Sequence, residues 1–110
     1  MAKRIAASIS EVEREYIYVM RSPSHAADIY KIGFTTRDVP ARADELTRST
    51  SAPLPFGVLA SWPVENAQLT EQLVHERLAA YRLSPRREFF RLPLSDIVRS
   101  IEAVLSGAKQ

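Results

Sequence analysis

The sequence predicts an α+β domain in which helices pack on a small, mostly antiparallel β-sheet of three to four strands. Three observations carry this expectation. Two apolar, strand-like runs, Tyr16-Ile17-Tyr18-Val19-Met20 and Ile29-Tyr30-Lys31-Ile32-Gly33-Phe34, flank a polar stretch that reads as a turn. The run Phe56 to Trp62 places its larger residues at 56, 58, 60 and 62, the period of a strand. Helically spaced apolar residues separate and follow these runs. The order ββαβα(β)α then places helices on one sheet. At 110 residues the chain has the size of one domain, assigned to 15–107 with a lead-in at 1–14.

Taken in order, the lead-in has no strong periodicity, although Ile5, Ile9 and Val12 share one helical face. Residues 15–21 are rich in β-branched and aromatic side chains, as a strand is. Ser22 to Asp28 holds Pro23 and Asp28 and reads as the turn of a hairpin. Residues 29–35 resume the strand pattern. Asp38 then offers an N-cap, and Pro40 is tolerated in a first helical turn where its missing N–H costs nothing. That helix runs to about Thr47 with Val39, Ala43 and Leu46 inward, and a Ser/Thr/Pro loop leads from Ser49 to Pro55.

The segment 65–81 has the clearest helical spacing. At 100° per residue, Leu69, Leu73 and Ala80 fall on one side and Val74, Leu78 and Tyr81 nearly opposite, which predicts packing on both. Glu71 borders the second apolar side with His75 one turn on, and a carboxylate edging into a buried face needs a partner. An arginine-rich turn at 82–87 leads to Glu88-Phe89-Phe90-Arg91-Leu92, read as a fourth strand or extended segment. Ser95 or Asp96 caps a last helix with Ile97, Val98, Ile101, Val104 and Leu105 inward, and Gly107 ends it.

Composition narrows the function classes. With 45% hydrophobic and 25% charged residues the chain matches ordinary soluble globular proteins, and a cytoplasmic location is expected. Cysteine is absent, which excludes disulfides and thiolate zinc sites. No apolar run reaches the roughly 18 residues of a membrane span, and the N-terminus lacks a secretory pattern. A net charge of +2 says little alone, but Arg82, Arg86, Arg87 and Arg91 cluster within ten residues. That cluster is either a solvated loop or a nucleic-acid contact. No phosphate-binding Walker loop, dinucleotide fingerprint, zinc-protease helix or serine-hydrolase elbow occurs.

The ordered motifs resemble the GIY-YIG nuclease superfamily, and within it the meiotically-up-regulated-gene and phage-orf branch, often described as DNA-binding. The resemblance spans about residues 15 to 93. Tyr16-Ile17-Tyr18 matches the branch's "YIY", and Tyr30-Lys31-Ile32-Gly33-Phe34-Thr35 its "YKIGxT". Arg42, the pair Glu71 and His75, and Glu88-Phe89-Phe90 follow in the branch's order. The chain departs from the wider superfamily in carrying Tyr16 at the first Gly and Lys31 at a Tyr. Arg42 is displaced by one residue, and Glu88 stands near where many relatives have Asn.

The resemblance implies a metal-dependent DNA endonuclease or nickase. It implies Glu71 as ligand to one Mg²⁺ (or Mn²⁺), Tyr18 as general base or water-orienting group, and Arg42 on the scissile phosphate. Lys31 or the metal is expected to supply a cation favouring the Tyr18 phenolate, since a phenol of pKa about 10 is a poor base unaided. Tyr30, Gly33, Thr35 and His75 are supporting residues, Gly33 by letting backbone approach closely. Arg42, Arg82, Arg86 and Arg87 are the expected nucleic-acid contacts, with DNA as partner and a homodimer or partner protein for specificity. Bland readings stand beside these. Glu71 caps or pairs with Arg42 or His75, Tyr18 is a packed strand aromatic, and Phe89, Phe90 and Trp62 are core. The alternatives for the whole chain are a non-catalytic DNA-binding module and a protein-interaction domain.

Overall fold

A computed structural model describes residues 14–49, 54–85 and 87–107. The expected helical face of Ile5, Ile9 and Val12 and the expected contact at Arg86 lie outside the described residues. The elements run β1 (Glu15–Arg21), β2 (Ile29–Thr35), α1 (Val39–Ser49), β3 (Gly57–Val64) and α2 (Ala67–Arg77). A 3₁₀ turn (Ala79–Tyr81), β4 (Arg82–Ser84), β5 (Arg87–Arg91) and α3 (Leu94–Leu105) follow. The strands form one sheet in the order β3-β1-β2-β5-β4, and each neighbouring pair is antiparallel. The α+β expectation holds, with five strands where three to four were expected.

The β1–β2 hairpin sets the register of the sheet, pairing Tyr18 with Gly33 and Met20 with Lys31. Strand alternation then divides the side chains between two cores. Ile17, Val19, Ile32 and Phe90 pack with Ala67, Val74, Leu78, Ile97 and Ile101 from α2 and α3. Tyr18 and Met20 pack with Val39, Ala43 and Leu46 from α1 and with Phe56. The sheet is covered on both faces, with α1 on one and α2 and α3 on the other.

Local chemistry fixes the helix ends. Asp38 Oδ1 accepts from Ala41 N at 2.7 Å, the expected N-cap of α1. Asn66 Oδ1 caps α2 by accepting from Leu69 N at 3.1 Å, and Glu15 Oε1 accepts from Ala67 N at 2.8 Å. Gly107, at φ +78°, ends α3 as expected.

Five expectations are corrected. The residues 82–87 read as a turn include β4, which pairs Arg82 with Phe90. Arg82 Nε also donates to Arg87 O at 2.9 Å, and three residues are too few to show a period. The helix expected over 65–81 stops at Arg77, and it packs along one stripe only, Ala67, Glu71, Val74 and Leu78. Leu69 and Leu73 remain 49% and 43% exposed, because no described element covers their side. Tyr81, expected on the opposite side, is exposed in the 3₁₀ turn beyond the helix. Finally, α3 starts at Leu94 with Pro93 rather than Ser95 or Asp96 at the N-cap, and Leu105 is exposed in its last turn.

Gly33 decides how β1 and β2 meet. A Cβ there would lie 2.5 Å from Tyr18 Oη and 2.8 Å from Cζ, closer than atoms pack. Tyr18 is only 1% exposed, so its ring has no room to retreat. Gly33→Ala is therefore expected to destabilise the fold by about 1–3 kcal/mol, read as a lower urea midpoint at unchanged m-value. An unchanged midpoint would show that the Tyr18 ring is free to move.

Candidate functional site

The site forms where the sheet opens. β5 pairs with β2 only at Ile29↔Arg91, Tyr30↔Phe90 and Lys31↔Phe89, while β2 continues to Thr35. From Ile32 onward that edge of β2 has no strand partner among the described residues. His75 of α2 takes up part of the exposed backbone, its Nε2 lying 2.9 Å from Ile32 O. A carbonyl only accepts, so Nε2 carries the hydrogen. Burial lowers the His75 pKa despite that bond, which favours the neutral ring.

Tyr18 crosses Gly33 toward Arg42 on α1. The Arg42 guanidinium is within hydrogen-bonding reach of Tyr18 Oη and is braced by Glu45, with Nη1 3.1 Å from Oε1. Arg37 pairs with the same Glu45 carboxylate. Burial raises the Tyr18 pKa above 10.0 and outweighs the bond and charge of Arg42, while Glu88 and Glu71 push it further up. Tyr18 is thus held as a neutral phenol. The cation beside it is Arg42, whereas Lys31 points its charge elsewhere, with Nζ 3.1 Å from Glu88 Oε1.

Glu71 occupies an apolar slot of α2, between Ala67 and Val74, and is 9% exposed. Burial comes first in raising its pKa from 4.5 to about 7, followed by the charge of Glu88 and a hydrogen bond between the two carboxyl groups. Lys31 and Arg82 pull it down, but by less. Glu71 is bonded to neither Arg42 nor His75, so both expected pairings are replaced by Glu88.

Tyr18, Gly33, Lys31, Arg42, Glu71 and His75 therefore gather around the open edge of β2, from both faces of the sheet. Tyr30 does not join them, because strand alternation turns it into the core under α2 and α3. Thr35 is buried at the entry to α1, its Oγ1 accepting from Arg37 N at 3.1 Å. Arg82 stands over the Phe90 ring at 5.8 Å, near enough to act on Glu71 and His75, and Arg87 is exposed. Phe90 is fully buried and Trp62 packs on the same core, while Phe89 lines the Tyr18 side. Glu88 is the residue sequence reasoning passed over as a site member. Its signal was a carboxylate set between a basic turn and a buried aromatic. A cavity of about 390 Å³ lined by Arg77, Leu78, Tyr81, Leu92, Asp96 and Arg99 contains none of these residues.

The Glu71 environment has a pH signature. A carboxyl whose folded pKa exceeds its unfolded value stabilises the fold fully below pH 4.5, and this is lost as pH rises through about 7. Glu71→Gln removes that loss. Relative to wild type, it is expected to gain on the order of 1–3 kcal/mol between pH 5 and 8.5, measured by urea unfolding. Parallel pH profiles for the two proteins would refute the buried-carboxyl account.

No curated protein and no solved structure matches the chain. The model of the T5orf172 domain matches residues 15–105, from the first residue of β1 to the last of α3. Spanning every element described, this match shows that the chain belongs to the T5orf172 domain family.

Proposed function

We propose that this domain is a metal-dependent DNA endonuclease or nickase of GIY-YIG type. Membership of the phage-associated T5orf172 family supports a nucleic-acid role. The observation that supports the reading is that Arg42 of α1 and Glu71 of α2, from separate elements, both act on Tyr18 of β1. A hairpin tyrosine needs only packing. A nine-tenths-buried carboxyl group in an apolar slot is costly without a task.

The residues fit a hard divalent cation and not a closed metal centre. Among the described residues no three His, Asp or Glu side chains gather as a ligand set. Mg²⁺ is commonly held by one or two carboxylates with water and phosphate oxygens, and Glu71 offers such a donor with no direct ion pair among the described residues. A cation bound there supplies charge neutralisation at the phosphate and a more acidic water.

The chain's own groups do the rest. Arg42 presents parallel N–H donors to two phosphate oxygens and holds the scissile group in line. Tyr18, kept neutral by burial, orients the attacking water through its Oη rather than taking the proton outright. Gly33 keeps backbone bulk out of the way, and His75 fixes the β2 edge through Ile32 O. One such site cuts one strand, so a double-strand break requires a second copy or a second encounter.

In a supercoiled-plasmid assay with Mg²⁺ or Mn²⁺, wild type is expected to produce nicked circles. Arg42→Ala and Glu71→Ala should fall by about 10²–10³-fold. Equal residual activity in all three, or no cutting with either metal, removes the nuclease reading.

One observation favours a non-catalytic DNA-binding module instead. The Lys31–Glu88 ion pair occupies a cation and a carboxylate at the site. In this reading wild type binds DNA without cutting it. Arg42→Ala and Arg82→Ala should then each reduce the slope of log affinity against log salt by about 1. A protein-interaction domain would show no such slope.

A further inference from the structure

We propose that the groove between the end of α2 and α3 is a second nucleic-acid site, for one unpaired nucleotide of a single DNA strand. Its base stacks on Tyr81, and its flanking phosphates meet Arg77 and Arg99. This rests on the nucleic-acid role above and not on cleavage. The groove is a cavity of about 390 Å³ and shares no residue with the Tyr18 site. Ligand pockets typically hold roughly 300–1,000 Å³, so it has room for a small planar group. Asp96, Arg99 and Ser100 line it at helical spacing on one side of α3. Arg77 enters from the last turn of α2, and Tyr81 from the 3₁₀ turn that follows.

The lining combines apolar, aromatic and cationic groups. Leu78 and Leu92 are buried and supply the apolar part. Arg99 Nη2 lies 3.0 Å from Asp96 Oδ1, so one carboxylate balances one guanidinium. Arg77 has no ion pair among the described residues, which leaves the cavity one positive charge in excess. The Arg99 side chain is 74% exposed, and its remaining N–H donors can reach a phosphate while the Asp96 pair persists. Tyr81 is 49% exposed and belongs to neither core, so folding leaves its ring available. Guanidinium groups beside an available aromatic ring suit a nucleotide, whose base stacks while its phosphates neutralise charge. A duplex keeps its bases stacked inside and would use only the arginines. An acidic peptide would likewise leave the ring unused, so the aromatic wall selects an unpaired base.

The test is fluorescence anisotropy of the full 110-residue chain with a labelled oligothymidylate and with a duplex of equal length, across a range of salt. Melting temperatures confirm that each variant is folded. Tyr81→Leu is expected to weaken single-strand binding about tenfold at an unchanged salt slope, and Tyr81→Phe to retain it. Duplex affinity should not change in Tyr81→Leu. Arg77→Ala and Arg99→Ala should each reduce the single-strand slope of log affinity against log salt by about 0.7. Wild-type single-strand affinity in Tyr81→Leu, or an equal loss in Tyr81→Phe, overturns the stacking role. Displacement of the oligonucleotide by polyglutamate at equal charge concentration overturns the base-selective site in favour of an acidic peptide. Unchanged slopes in Arg77→Ala and Arg99→Ala, with Arg42→Ala weakened, overturn the second site and leave the nucleic-acid reading intact. No binding of either DNA by wild type overturns both.

Discussion

The structure depends on a missing side chain. Because residue 33 is glycine, the Tyr18 ring lies flat across β2 instead of being pushed off the sheet, and its hydroxyl comes to Arg42. The same contact keeps the phenol buried and neutral, so packing and protonation state have one cause. It also sets which core receives which side of the hairpin. With Tyr18 opposite Gly33, Met20 and Lys31 share its face while Tyr30 and Ile32 take the other.

Around that contact the sheet is deliberately incomplete. Three residue pairs join β5 to β2, and the remaining length of β2 offers its backbone to α2. His75 uses it at Ile32 O, and Glu71, one turn earlier, is carried into a slot its stripe reserves for apolar residues. The helices bearing Arg42 and Glu71 lie on opposite faces of the sheet, and both groups act on Tyr18, whose ring lies over Gly33 in the unpaired stretch of β2.

The sequence was informative where a side chain's own period or chemistry decided the outcome. The alternation of β1 and β2, the cap at Asp38, the stop at Gly107 and the inward lean of Glu71 all belong to that kind. Partnership was harder to read. Lys31 and Tyr18 are neighbours on one face, yet Lys31 pairs with Glu88, fifty-seven residues away, because β5 is docked in one register. Tyr30, expected to support the site, is turned by strand pairing to the core under α2 and α3. β4 has three residues and no pattern, and the exposure of Leu69 and Leu73 reflects the absence of a covering element among the described residues.

The position of β1 in the sheet has a dynamic consequence. β1 is paired on both sides, to β2 and β3, whereas the β4–β5 hairpin hangs from β2 by three pairs at the far margin. Backbone openings that expose amides to solvent should therefore be rare at Tyr18 and much more frequent at Glu88. Tyr18 and Glu88 then belong to different cooperative units. The placement of Glu88 beside Lys31 becomes a local folding equilibrium of the β4–β5 hairpin, while the Tyr18 side of the sheet stays paired on both edges.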